Sequence, residues 1–274
     1  GFTQAANVEY KSREWNWGVQ EQSVAEDYRA EVGYVPRNGY VNIDSFVGYL
    51  FFPKGGIVLD HGPKIGLNYF FDQRLNRTDN TNEFSYLVQF RDRSELTSSF
   101  GNEFVELLKP FDPTQSGNVP LPIGSRHFWN ALTMQYVSKP QSMFTYTVSG
   151  RYGGYYAHGT RTSILSELGY RFQPYVSLSA IVNYNYIDLP DPWNITDFWL
   201  IGPKVDITFT NKIFWATLFQ YNEQTKNFNL NSRFQWRYKP ASDLFIVYTN
   251  NYFIDPPVGR NWALTVKLSY WFNN

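Results

Sequence analysis

The stretch "NFNLNSRFQWRYKP", residues 227–240, divides into two columns. Phe228, Leu230, Phe234, Trp236 and Tyr238 take even positions, while Asn227, Asn229, Asn231, Arg233, Gln235, Arg237 and Lys239 take odd ones. Successive side chains of an extended strand point to opposite faces, so the stretch specifies a sheet with one apolar and one strongly polar surface. A soluble sheet would bury the apolar column. A membrane barrel would turn it to lipid and line its interior with the polar column.

The same period of two recurs along the chain. In 83–93, Phe84, Tyr86, Val88 and Phe90 oppose Glu83, Ser85, Gln89, Arg91 and Arg93; in 175–186, Val176, Leu178, Ala180, Val182, Tyr184 and Tyr186 oppose Ser177, Ser179, Asn183 and Asn185. In 203–210, Val205, Ile207 and Phe209 oppose Lys204, Asp206, Thr208 and Thr210; in 261–272, Trp262, Leu264, Val266, Leu268, Tyr270 and Phe272 oppose Thr265, Lys267 and Ser269. Weaker strands fall near 2–11, 14–22, 40–53, 57–72, 95–107, 127–137, 142–156, 161–172, 197–210 (which takes in 203–210), 212–222 and 243–252. Of these, 212–222 and 243–252 are apolar on both faces, so their orientation stays open. No long segment repeats at the helical spacing of i, i+3, i+4, i+7. Most strands reach ten residues, above the soluble mode of about five or six and matching the ~9–11 that a tilted strand needs to cross a bilayer.

The connections alternate short and long, with long ones at 23–39, 73–82, 108–126, 188–196 and 253–260. Outer-membrane barrels have short periplasmic turns and longer outer loops. The count comes to fifteen strands, or fourteen if residues 2–22 form one long strand. An odd count with the first strand starting outside predicts that an upstream strand belongs to the same barrel. The fold expected is therefore all-β: one antiparallel up-and-down transmembrane barrel over 1–274, about 14–16 strands, part of a larger barrel.

Composition agrees. Aromatics make up 19% of the 274 residues and charges only 18%, with 24 basic and 24 acidic groups, which points away from a nucleic-acid surface. Cysteine is absent, which excludes a disulfide scaffold and Cys-ligated zinc. No apolar run is long enough for a transmembrane helix, and the start "GFTQAANVEY" lacks the features of a signal peptide.

The polar columns supply the candidate solute path: Arg233, Gln235, Arg237, Lys239, Lys267, Lys204, Asp206, Asn183, Asn185, Glu167, Arg171 and Arg91. Mixed charge in a pore favours polar, uncharged or zwitterionic solutes. The same groups could instead bond across the interior and plug it. The loops 109–126 and 188–196 lie within two stretches holding six of the fifteen prolines, and they are expected to set specificity or contact partners.

Catalysis has little to stand on. Of the three histidines, His61, His127 and His158, the first follows Asp60 and the second follows Ser125 along strands whose neighbouring side chains face opposite ways, so neither pair is expected to cooperate. The chain is read as a non-enzyme; a membrane-embedded hydrolase is kept as the remotest reading. "NRTDNTNE", 76–83, crowds oxygen ligands into an expected outer loop but lacks the glycine and spaced glutamate of a calcium loop. No metal or cofactor is expected.

Three strings carry a family resemblance: "EDYRAEVGYVPRNGY" at 26–40, "SRFQWRYKPASDLFIVYTNNY" at 232–252 and "ALTVKLSYWFNN" at 263–274. Together they resemble the C-terminal domain of unknown function of large Bacteroidota outer-membrane proteins, which follows a module similar to family-nine carbohydrate-binding domains. The resemblance implies a Gram-negative outer-membrane location, a longer parent protein and a saccharide link by association with that module; it brings no catalytic residues. The aromatic-ended strand 261–273 resembles the signal read by barrel-insertion machinery. Lipid, lipopolysaccharide and that machinery are the expected partners. The function expected is a pore or uptake protein for polar solutes, with a structural or partner-binding component of an export or uptake complex as the alternative.

Overall fold

A computed structural model describes residues 1–29, 35, 37–115, 117, 119–254 and 261–272. Fifteen strands, hydrogen-bonded in chain order, make one sheet. They are β1 (Thr3–Lys11), β2 (Trp15–Val24), β3 (Tyr40–Tyr49), β4 (Val58–Asp72), β5 (Arg77–Phe90), β6 (Glu95–Glu106), β7 (Arg126–Val137), β8 (Phe144–Gly154), β9 (Thr160–Phe172), β10 (Val176–Asp188), β11 (Ile195–Thr210), β12 (Ile213–Asn222), β13 (Asn227–Lys239), β14 (Ser242–Phe253) and β15 (Asn261–Leu268). The sheet is antiparallel and up-and-down, and it is not closed on itself: β1 and β15 are its two edges. Every residue of both edge strands is exposed.

Residues 2–22 do not form one strand. Ser12 N–H bonds the Trp15 carbonyl at 2.8 Å and Trp15 N–H bonds Ser12 Oγ at 2.9 Å, closing a turn between β1 and β2. The long-loop region 73–82 is also shorter than expected, because β5 already starts at Arg77 and pairs with the end of β4 through Tyr69↔Asn80 and Phe71↔Arg77. This segment is polar on both faces, so alternation could not reveal it; the backbone ladder holds it as strand. Asp72 closes the turn, its carboxylate accepting from Arg74 N–H, Asn76 N–H and Asn76 Nδ2.

The final strand is shorter than expected as well. β15 ends at Leu268, with one more reciprocal pair between Ser269 and Asp243. Tyr270 and Phe272 therefore lie past the strand, ring centroids 4.6 Å apart. Asn273, residues 30–34 and 36 of the first resemblance string, and most of the loop 253–260 lie outside the described residues. Among the described residues no helix is long and apolar enough to cross a membrane, which does not bear on a barrel.

The chain divides into two compact units, residues 1–136, 150–162 and 187–196 in one and 137–149, 163–186 and 197–274 in the other. In the first, register places Trp17, Val47, Ile65, Phe84 and Phe100 in one row of the apolar face, while Gln20, Asp44, Asn68 and Thr81 occupy the opposite face. In the second, Trp215, Phe234, Ile246 and Val266 share the apolar face, and Ala216, Arg233, Val247 and Thr265 the other. The register also settles the two strands that pattern left open: in β12 the odd residues, and in β14 the even ones, join the apolar face.

Candidate functional site

Each unit carries its own arrangement on the polar face. In the second unit, cross-strand partners line up in rows. One row holds Asp206, Ala216, Arg233, Val247 and Thr265; the next toward the short turns holds Thr208, Phe214, Gln235, Phe245 and Lys267. Lys204 and Asp206, two apart on β11, form an ion pair at 2.7 Å. Arg237 faces Asp243 at 3.4 Å, and Gln235 donates to the same carboxylate at 2.9 Å. Asn185, 1% exposed, accepts from Ser163 and donates to Asn183 on the polar side of β9 and β10. Glu167 lines a cleft with Thr145, Thr147 and Ser179.

Three of the twelve sequence-derived candidates are drawn to the apolar side or into turns. Lys239 follows a bulge between Arg237 and Lys239, which reverses the alternation; it pairs with Ser242 and its Nζ donates to Tyr270 Oη at 3.1 Å, on the apolar side. Arg91 lies beyond β5 in a turn, its Nε donating to the Gly56 carbonyl at 2.8 Å. Arg171 is spent on the β7–β8 turn, donating to the carbonyls of Pro140 at 2.6 Å and Ser142 at 3.2 Å. A guanidinium near a strand end finds free turn carbonyls within reach, and a side-chain column alone does not show this.

In the first unit the loops fold over the polar face. Asn102 Nδ2 donates to Asn130 Oδ1, which puts Asn130 on the apolar side and so turns Trp129 and His127 to the polar one. Trp129 is 7% exposed; Tyr156 lies 4.9 Å from it, 5.1 Å from Phe111 and 5.4 Å from His127, ring centroid to centroid. Gly154 makes room for Trp129, since a Cβ there would overlap the tryptophan Cβ. The loop between β6 and β7 is pinned by reciprocal Phe111–Leu121 backbone bonds, and Trp193 Nε1 donates to the Val119 carbonyl at 2.8 Å, joining it to the loop between β10 and β11. Leu121, Ile187 and Leu189 are fully buried there. Burial pushes the Tyr156 hydroxyl up to about 12, with Tyr155 and the nearby carboxylates of Asp79 and Glu103 adding to it. Arg37 holds Asp79 at 2.7 Å and Arg151 holds Glu103 at 3.4 Å.

Ser125 and His127 are two residues apart and share a face, contrary to the sequence expectation: Ser125 Oγ lies 2.9 Å from His127 Nε2. The orientation is nonetheless wrong for a nucleophile and base. Ala157 N–H donates to Nδ1 at 3.2 Å, so the ring proton belongs on Nε2 and points at Ser125, whose own hydroxyl donates to the Pro122 carbonyl at 2.7 Å. The pair is a strut for the loop. His61, on the apolar face, contacts Tyr86 Oη at 2.6 Å, while Asp60 faces the other way. Among the described residues no group of three or more His, Asp or Glu could hold a metal, and the 76–83 oxygens are strand and turn groups.

Sequence reasoning missed the loop cluster, whose signal was the pair of proline-rich loops, and the amide rows described below, whose signal was the asparagine column of β13. Comparison with protein-family models, curated proteins and solved structures gives no match.

Proposed function

We propose that the chain is an outer-membrane β-barrel protein of a Gram-negative bacterium that passes or takes up polar solutes along the polar face of its sheet. One observation carries this reading: over β12–β15 the apolar face holds a single charged residue, Lys239 beyond the bulge at the turn end of β13, while its reverse holds Arg233, Arg237, Asp243 and Lys267. Trp215, Trp236, Leu264 and Val266 on the apolar face are each more than 40% exposed. Leaving such side chains in water forgoes about 1.5–3 kcal/mol each. Turning the other face to lipid would cost about 2–4 kcal/mol per Arg or Lys at the midplane. Both magnitudes favour lipid on the apolar side. From Ile213 to Tyr221 the band runs eight steps, about 20 Å high at a ~40° tilt, close to the ~25 Å of barrel proteins.

Membership of the Bacteroidota outer-membrane family rests on the three quoted strings, and the saccharide link on the module found in its members. The alternative, a partner-binding component of a larger complex, draws on the two unpaired edges, and a plugged interior draws on the loop cluster. Planar-bilayer recording of the purified chain tests the choice. Stepwise conductance supports the path; a folded, inserted chain with none rejects it in favour of the structural reading. Detergent-dependent solubility with heat-modifiable gel migration tests the membrane setting itself.

A further inference from the structure

The cross-strand register assembles an array that no single strand displays. Gln220 pairs with Asn229, Asn229 with Asn251 and Asn251 with Asn261, which makes a row of four amides across β12, β13, β14 and β15. At the usual strand spacing the row is about 15 Å wide. The neighbouring row toward the loops adds Asn222, Asn227 and Phe253, and the row on the other side adds Asn231 and Thr249. Neither the central row nor its loop-side neighbour holds a charged residue. Beside them is a cleft of about 310 Å³ whose walls include Ile181, Leu200 and Leu218 together with Gln220, Asn222 and Asn229.

Amide ladders can simply tie strands together, but then the side chains would bond one another. Among the described residues of the array only Asn227 and Asn251 do so, at 2.7 Å. Gln220, Asn229 and Asn231 engage no side-chain hydrogen bond among the described residues, and Gln220 and Asn231 are exposed. A primary amide donates and accepts, as a hydroxyl does, whereas an ion is held by opposite charge. Phe253, 44% exposed beside Asn227, adds a ring face for C–H surface, and the aliphatic cleft wall adds more. Polar groups converging on an apolar floor are the composition of a small-molecule site.

We propose that this amide array binds neutral polyhydroxylated ligands of the oligosaccharide class. The assignment deepens the solute-path reading and rests on it for the accessibility of the polar face. The test is calorimetric titration of the full chain, folded in detergent, with maltotetraose, cellotetraose and the anionic tetragalacturonate. Expected is saturable binding of at least one neutral tetrasaccharide, weakened about tenfold or more by Asn229→Leu and by Asn251→Val and unchanged by Lys54→Gln in the turn after β3. The assignment is overturned if neither neutral sugar binds, if the folded variants bind like the parent, or if tetragalacturonate binds more tightly than both. The parent titration decides alone should a variant fail to fold. Bilayer recordings made in parallel separate the two readings: conductance without sugar binding removes the site and leaves the path, and sugar binding without conductance does the reverse.

Discussion

At Trp129 packing and polarity pull in opposite directions. Its ring is buried among Tyr155 and Tyr156, yet its indole N–H has no partner among the described residues. An unsatisfied buried donor costs about 1–3 kcal/mol, and emptying such a site costs about 3–5. Trp129→Phe should therefore be neutral or stabilising in denaturant unfolding, while Trp129→Ala should lose about 3 kcal/mol or more. Gly154→Val should act like the alanine variant by driving the indole out, read as a red-shifted tryptophan emission and faster proteolysis in the loop between β6 and β7. Tyr156 gives the same cluster a pH signature. An unfolded tyrosine releases its proton near pH 10, whereas the folded side chain keeps it to about 12, so within that window the unfolded chain binds fewer protons and stability falls as pH rises. The contribution is intact below pH 10. Tyrosinate absorbance should show a late-titrating component that falls by one group in Tyr156→Phe.

Strands are where the sequence was most legible, and where the limits of legibility show. Period two located β13 and most of β10 because each has one face against polar surroundings and one against apolar ones. The start of β5 escaped because Thr78, Asn80 and Asn82 carry no contrast between faces. Lys239 was misplaced because a bulge is a property of a strand pair. The amide row was invisible for the same reason: Gln220 and Asn251 meet Asn229 only through register. Ile187 sits in the polar column of β10 and is buried under the loops, and no pattern within one strand announces an inward-folded loop. The two faces of β15 give the sharpest test at this scale. Leu264→Arg should cost about 2–4 kcal/mol of folding free energy in lipid vesicles, and Thr265→Arg, one position along but on the opposite face, should cost far less. Equal costs at both positions would remove the assignment of the apolar face to lipid.

For the whole molecule the open edges matter most. An unpaired backbone group in hydrocarbon costs several kcal/mol, and β1 and β15 each present a row of them. Hydrogen exchange should find alternate amides of both edge strands exchanging much faster in detergent than those of β13. On insertion into a bilayer both edges should become protected, through an added strand or a second copy. Cross-linking from Glu9 would tell these apart.

Every strand of this sheet pairs only with its neighbours in the chain. Its contacts are therefore as local as a β-sheet allows, and loop-closure entropy is met one hairpin at a time. The architecture is also modular. Removing or duplicating a hairpin with its turn leaves every other pairing and both faces in register, so such a sheet can change its width in steps of two strands without rethreading the chain.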